Sequence, residues 1–165
     1  HMPKIELINA WYGTEETNSD NEGKVLEAIQ QNLNNSGKVV VPEDMNGFFG
    51  FDPAPEQAKV TAIHVRMLDQ EHHLRAPEWS NFEWPEIEIV NAWYGTEETN
   101  SDNDGKVIEA IRNNFKNNRL TIPADMNAFF DFDPVPGTPK VTAIHVRVLG
   151  EDIHLRANEG EDFEW

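Results

Sequence analysis

The sequence contains no cysteine. A disulfide framework, a thiolate nucleophile and a cysteine-ligated zinc or iron–sulfur site are therefore excluded. Basic residues are also scarce, since 13 Lys and Arg stand against 30 Asp and Glu and leave a formal net charge of −17. Nucleic-acid binding depends on clustered Lys and Arg, and an acidic surface repels both nucleic acid and anionic membranes. We therefore expect no nucleic-acid partner.

Long hydrophobic runs are the third absence. Apolar runs end after four or five residues, as in 38–42, whereas a transmembrane helix needs about 20. We expect no membrane insertion and a soluble protein, because a hydrophobic content of 38% is enough for a folded core. His1 and Met2 resemble the remnant of an expression tag rather than the start of a signal peptide, which is basic and then apolar. The cellular compartment stays open.

The two halves of the sequence resemble each other. Residues 3–84 align with residues 85–165 across a one-residue gap, and 51 of 81 aligned positions are identical. Such self-similarity predicts two tandem repeats with these boundaries. No Gly/Ser-rich linker separates the halves, and a chain of about 80 residues forms only a small core. We therefore expect the repeats to pack with pseudo-twofold symmetry, as in a C₂ homodimer.

Each repeat begins with the pattern of a strand followed by a helix. The apolar segment 5–12 ends at Gly13 and predicts a strand. Ser19 and Glu22 have the spacing of a capping box. One amphipathic helix is predicted from the apolar stripe Val25, Leu26, Ile29 and Leu33, which the second half repeats as Val107, Ile108, Ile111 and Phe115.

The rest of the repeat predicts extended structure. Residues 38–42 suggest a short strand, and 44–53 a long aromatic loop in which prolines disfavour helix. Residues 59–68 and 73–76 alternate around a turn at Asp69-Gln70, or Gly150-Glu151 in the second half, which predicts a hairpin with a type II′ turn. The expected fold class is α+β, with two tandem copies of a small, sandwich-like, antiparallel-sheet unit that has one helix each.

One polar loop is identical in the two halves, since residues 9–21 recur unchanged as residues 91–103. Core positions tolerate swaps among apolar residues, so identity in a loop favours a binding site over stability. Recent duplication explains the identity equally well. Aromatic faces beside carboxylates and amides suit a neutral sugar. The candidate ligand-binding residues are Trp11, Tyr12, Glu15, Asn18 and Asp20, with Trp93, Tyr94, Glu97, Asn100 and Asp102. Alternatively, the tryptophans belong to the core and the acids lie at the helix N-terminus.

A second matching block supplies oxygen donors. Hard cations such as Ca²⁺ take carboxylate and carbonyl ligands from irregular loops, although the spacing here is not that of an EF-hand. Candidate ligands for calcium are Asp44, Asn46, Asp52, Asp125, Asn127 and Asp133. The alternative is an aromatic cluster that closes the sheet edge and an Asp-Pro turn. No other cofactor is expected.

A third block places histidine and arginine on one face of the predicted hairpin. With the predicted turn, His64 lies opposite Arg75 and Arg66 opposite His73. Such a face could accept a carboxylate, sulfate or phosphate. Candidate anion-binding residues are His64, Arg66, His73, Arg75, His145, Arg147, His154 and Arg156. Alternatively, they pair with the protein's own acids, for instance Glu6 and Glu78.

The sequence does not point to an enzyme. It contains no Gly-x-Ser-x-Gly, Walker, Gly-x-Gly-x-x-Gly or His-Glu-x-x-His motif. A repeat of about 80 residues also leaves little room for a deep catalytic cleft.

The order of short motifs resembles a known family. The motifs are Tyr12-Gly13, Asp20, Asn46, Phe49-Gly50, Asp52-Pro53, Pro55 and Lys59 at the head of an alternating strand. This order is similar to that in the uncharacterised C-terminal domain of some J-domain co-chaperones, although no J-domain is present here. The resemblance covers most of each repeat and implies a β-rich module without an assigned chemistry.

We therefore expect a non-enzymatic, bivalent recognition protein that binds carbohydrate or glycoprotein in a lectin-like way, with one site per repeat. The alternative is a scaffold module that binds proteins and no small ligand. The sequence leaves the ligand, the oligomeric state and the organism undetermined.

Overall fold

The structure, a computed structural model, describes residues 2–165 and divides into two units, residues 2–84 and 85–165. Each unit is mixed α+β, and all its strand pairings are antiparallel. The first unit contains β1 (Glu6–Gly13), β2 (Asn18–Ser19), α1 (Lys24–Ser36), β3 (Val39–Val41), α2 (Met45–Phe49), β4 (Val60–Met67), β5 (Gln70–Pro77) and β6 (Phe82–Trp84). The second contains β7 (Ile87–Gly95), β8 (Asn100–Ser101), α3 (Lys106–Asn113), β9 (Thr121–Ile122), α4 (Met126–Phe130), β10 (Val141–Val148), β11 (Glu151–Asn158) and β12 (Phe163–Glu164).

A four-stranded sheet forms the frame of each unit. Its strand order is β2-β1-β4-β5 in the first unit and β8-β7-β10-β11 in the second. A short two-stranded ladder accompanies it, β3 with β6 or β9 with β12. In the first unit, α1 packs against β1 and β3, so one face of the large sheet is covered and the other is left to solvent. The core of the first unit consists of Ala10, Tyr12, Val25, Ile29, Val39, Val41, Met45, Phe49, Ile63, Val65 and Ala76.

The predicted helix at 25–33 is confirmed, but its predicted cap is wrong. Gly23 precedes the helix with φ 86°, and no side chain caps it. The carbonyl of Asp20 instead accepts from the amides of Gly23 and Val25, at 3.1 and 3.2 Å. A left-handed turn at Asn21 and Glu22 brings that carbonyl to the helix end. Main-chain groups therefore satisfy the first free amides, and the capping box is unnecessary.

The prediction of one helix per unit is wrong, because residues 44–53 are not wholly a loop. α2 occupies 45–49. The Asp44 carboxylate accepts from the Gly47 amide at 3.0 Å, which caps the helix start. Gly50, at φ 80°, ends it. The prolines follow this end and therefore do not oppose the helix.

In the second unit the main helix is shorter than its apolar stripe predicts. α3 ends at Asn113, so Phe115 lies outside it. Asn117 and Asn118 take φ values of 54° and 56° and form a tight turn within a Lys116 to Arg119 bridge. Asparagine tolerates this left-handed conformation, so the turn replaces the last helical residues.

The predicted hairpin is confirmed, but its turn lies one residue earlier. Leu68 and Asp69 form the turn at φ 54° and 59°, and Met67 pairs with Gln70. Leu149 and Gly150, at 52° and 77°, do so in the second unit. Positive φ at both central residues defines type I′ rather than the predicted type II′, and its twist matches that of the strands.

None of the helices described within residues 2–165 has the length and apolar character that crossing a membrane requires.

Candidate functional site

A β-bulge decides which side chains of β1 face away from the core. The register with β4 shifts between Leu7 and Asn9, so Ile8 is an extra residue in the strand. Because side chains alternate along a strand, the shift brings Glu6, Asn9 and Trp11 onto the same outer face.

Three cross-strand rows cover this outer face in each unit. In the first unit they are Trp11, Ala62 and Arg75; Asn9, His64 and His73; and Glu6, Arg66 and Glu71. In the second they are Trp93, Ala143 and Arg156; Asn91, His145 and His154; and Glu88, Arg147 and Asp152. The structure therefore brings the loop tryptophan and the His/Arg residues, predicted as two separate sites, onto one surface.

The pairs within the His/Arg set differ from the prediction. His64 lies opposite His73 rather than Arg75, and Arg66 lies opposite Glu71 rather than His73. The early turn shifts each pair by two residues, and a shift by an even number leaves the outer face unchanged. The His and Arg residues therefore lie on one surface, as predicted, but their cross-strand partners differ from the predicted ones.

Acidic neighbours compensate much of the positive charge of this face. Arg66 lies 3.3 Å from both Glu6 and Glu71, and His64 Nε2 lies 3.1 Å from Glu71. The predicted alternative of pairing with Glu6 is thus confirmed, whereas Glu78 lies elsewhere. The imidazoles of His64 and His73 stack at 4.4 Å.

In the second unit a different acid takes the place of Glu71. His145 Nε2 lies 2.8 Å from Asp152 Oδ1, and Arg147 Nε donates to the same oxygen at 3.0 Å. The hydrogen bond with His145, reinforced by Arg147, holds the pKa of Asp152 below its usual value.

Arg75 links the polar loop to the sheet. Its guanidinium lies 5.6 Å from the centroid of the Trp11 ring and forms an ion pair with Glu15. Asn18 holds the loop in place, because its amide donates to the carbonyls of Thr14 and Glu15 at 2.8 and 3.2 Å. Asn18 and its counterpart Asn100 therefore fix the conformation of the loop. In this conformation Glu15 reaches Arg75 on the sheet.

These residues surround a shallow groove in each unit. The first groove measures about 330 Å³ and is lined by Asn9, Ala10, Trp11, Glu15, Ala62, Ile63, His64, His73, Leu74 and Arg75. The second measures about 430 Å³ and is lined by Asn91, Ala92, Trp93, Glu97, Ala143, Ile144, His145, His154, Leu155 and Arg156. The ten lining residues are identical, position by position. Arg66 and Arg147 flank the grooves without lining them.

The prediction that Tyr12 and Tyr94 present their rings to a ligand is wrong. Both are fully buried, because they alternate with the outward tryptophans and so point into the core. Asp20 and Asp102 also lie outside the grooves. The Asp20 carboxylate accepts from the Glu22 amide at 3.1 Å, which fits the predicted alternative of a role at the helix start.

The six candidate calcium ligands make contacts within the protein. Asp44 caps α2, Asn46 Oδ1 lies 2.6 Å from the Tyr12 hydroxyl, and Asp52 lies 3.2 Å from Lys59 Nζ. Asp125, Asn127 and Asp133 make the same contacts in the second unit. Over residues 2–165, no three His, Asp or Glu side chains converge as metal ligands. Calcium binding stays a prediction, which a calorimetric calcium titration would check.

Sequence reasoning missed a buried polar network behind the sheet. Lys59 is 4% exposed, and its ammonium lies 3.4 Å from Glu78, whose side chain is also 4% exposed. The other oxygen of Glu78 lies 3.1 Å from the Tyr12 hydroxyl. Carbonyls of Ala54 and Gln57 also accept from the ammonium, at 3.2 and 2.7 Å. The sequence does contain one signal of this network, because Lys59 and Glu78 recur in the second half as Lys140 and Glu159.

The same network raises pKa values. Burial is the largest cause that raises the pKa of Tyr12 well above its usual 10.0, and the hydrogen bond with Glu78 raises it further. The pKa of Tyr94 is raised by the same causes, with Glu159 as the partner. Burial lowers the pKa of Lys140, but hydrogen bonds to Asp133 and Glu159 outweigh it and the net shift is upward. The lysine therefore stays charged and the phenols stay neutral.

Neither tyrosine is expected to ionise while the protein is folded. At about pH 11 an ordinary phenol is roughly nine-tenths ionised. Since the folded-state pKa is the raised one, stability is full below the ordinary value of 10.0 and falls as the pH rises above it. The chain has two tyrosines, so phenolate absorbance should rise only together with the loss of circular dichroism. A rise in absorbance in a folded protein would contradict their burial.

No protein-family model, no curated protein and no solved structure matches the chain. The resemblance to the C-terminal domain of J-domain co-chaperones therefore stays a prediction, and no residue role is transferred from it.

Proposed function

We propose that the protein is a non-enzymatic carbohydrate-binding protein with one site per unit, located in the two grooves. The observation that carries this proposal is the identity of all ten lining residues, several of them exposed. Outside the grooves, some exposed positions differ, for example Lys4 and Glu86, or Ser80 and Glu161, whereas others, such as Glu16 and Glu98, are identical. Packing does not require identity at exposed positions, and we attribute the identity within the grooves to a shared ligand.

The chemistry of the grooves supports a sugar. Trp11 supplies an aromatic surface, while Asn9, Glu15, His73 and Arg75 supply directional donors and acceptors around it. Apolar contact combined with a few fixed polar groups is the usual composition of a small-ligand site. Two such sites on one chain gain avidity for a multivalent glycan or glycoprotein.

The grooves also favour binding over hydrolysis. Glycosidases in general use a pair of carboxyl groups on either side of the scissile bond. Each groove is lined by one carboxylate, Glu15 or Glu97, and that carboxylate is paired with an arginine. We further propose that the two units are tandem copies of one ancestral unit. Their pseudo-twofold relation stays a prediction.

A glycan array probed with the intact protein tests the proposal. We expect binding to a restricted set of sugars, and loss of that binding when both groove tryptophans are replaced. The absence of signal above background for every sugar would overturn it.

A second candidate function is protein binding, which one exposed tryptophan favours. Trp79 is 66% exposed and adopts φ 70°, whereas Gly160 takes the corresponding turn at φ 88°. The amide of Trp79 donates to Glu43 and that of Gly160 to Ala124, at 3.1 and 3.0 Å, so the turns match. A large side chain in a conformation that suits glycine carries a backbone cost, and a contact with a protein partner would compensate it.

Trp79→Gly is expected to stabilise the protein by about 1 kcal/mol, because it relieves the left-handed strain of a residue whose side chain is largely exposed. Urea denaturation measures the change. Gly160→Trp is the matched variant and should cost a similar amount. A loss of stability in Trp79→Gly would show that the indole packs on the protein, and would remove the argument for a partner.

A further inference from the structure

The salt bridge that crosses each groove lies at the surface. Arg75 and Glu15 have side-chain exposures of 52% and 70%, and Arg156 and Glu97 are similarly exposed. Exposed ion pairs contribute roughly 0–1 kcal/mol. A carboxylate brought by a ligand could therefore take the place of Glu15 on the guanidinium at little cost.

Further hydrogen-bond donors of the groove are unused. Asn9 Oδ1 accepts from the Ala10 amide at 2.9 Å, which leaves the Asn9 NH₂ group to donate. The His73 ring stacks on His64, and among residues 2–165 it has no hydrogen-bond partner. Together with Arg75, these groups line one groove and offer donors to an anionic group.

The geometry points to a saccharide that carries a carboxylate, and we propose that Glu15 and Glu97 occupy the position of this carboxylate in the free protein. This inference rests on the proposed function and specifies its ligand. The ligand carboxylate replaces Glu15 on Arg75, with His73 and Asn9 as additional donors, and the sugar ring contacts Trp11. A carboxylate is the anion assigned here because a carboxylate already pairs with the guanidinium.

Removing the internal carboxylate should strengthen binding of the external one. We expect the double variant Glu15→Gln/Glu97→Gln to bind a glucuronic-acid oligosaccharide about 2- to 5-fold more tightly, as loss of a weak competing ion pair predicts. The matching glucose oligosaccharide, which carries no carboxylate, should gain no affinity in this variant. Arg75→Gln/Arg156→Gln should weaken binding of the acidic sugar by at least about 10-fold.

The control is Glu16→Gln/Glu98→Gln, which removes the same charge from neighbouring exposed residues outside the grooves. Calorimetry on the intact chain, with circular dichroism to verify folding, measures all three variants. Tighter acid binding in the Glu15 variant alone supports the inference. Equal affinity for both sugars in the unaltered protein, or an equal gain in the Glu16 control, overturns the inference and leaves the proposed function standing. Absence of binding to acidic and neutral sugars alike overturns both.

Discussion

Glu78→Ala is expected to destabilise the protein by about 3–5 kcal/mol, because it removes one partner of a buried ion pair. Lys59 is held by Asp52 and two carbonyls as well, but Glu78 is its one buried carboxylate, at 3.4 Å. The substitution also removes one of the two acceptors within reach of the Tyr12 hydroxyl, the other being Asn46 Oδ1. Urea denaturation followed by tryptophan fluorescence measures the loss.

Two variants calibrate this effect. Glu159→Ala removes the corresponding carboxylate of the second unit, which is 22% exposed, so solvent should reduce its cost below that of Glu78→Ala. Glu83→Ala breaks the surface pair with Lys38 and should cost less than about 1 kcal/mol. If Glu78→Ala cost no more than Glu83→Ala, the buried network would not hold the fold together.

Trp11→Ala and Trp93→Ala together are expected to weaken sugar binding at least about 30-fold, which corresponds to about 2 kcal/mol for the loss of a central aromatic contact. Each substitution removes the apolar surface of one groove and the ring beneath Arg75 or Arg156. Because both tryptophans are only half-buried on the outer face, the protein should stay folded by circular dichroism.

The control for this prediction is Trp79→Ala, which removes an exposed indole outside the grooves and should leave sugar binding unchanged. Unfolding of the Trp11→Ala/Trp93→Ala variant would assign both rings to the core. Unchanged affinity in a folded variant would exclude the grooves as the binding sites.

Periodicity in the sequence was sufficient for the larger elements. The stripe from Val25 to Leu33 predicted α1, and alternation along 59–68 predicted β4. The short helix α2 was missed because five residues give no periodic signal, and its start and end depend on Asp44 and Gly50. The hairpin turn was misplaced because Leu68 adopts a left-handed conformation that its residue type does not announce.

The groove could not be predicted from the sequence and became visible only in the structure. Alternation shows that Trp11 and Tyr12 point to opposite faces, but not which of them points outward. The bulge at Ile8, which aligns Glu6 and Asn9 with Trp11, has no sequence signal. The link between Glu78 and Lys59 joins residues 19 positions apart, and local patterns do not report such pairings.

The number of sugar sites per chain tests the central claim most directly. Titration calorimetry with a monovalent sugar selected from the array should give two sites per chain for the unaltered protein. Trp11→Ala or Trp93→Ala should each leave one site, and the double variant none. A stoichiometry that either single variant leaves unchanged, or binding of undiminished affinity in the double variant, would contradict the assignment of one sugar site to each groove.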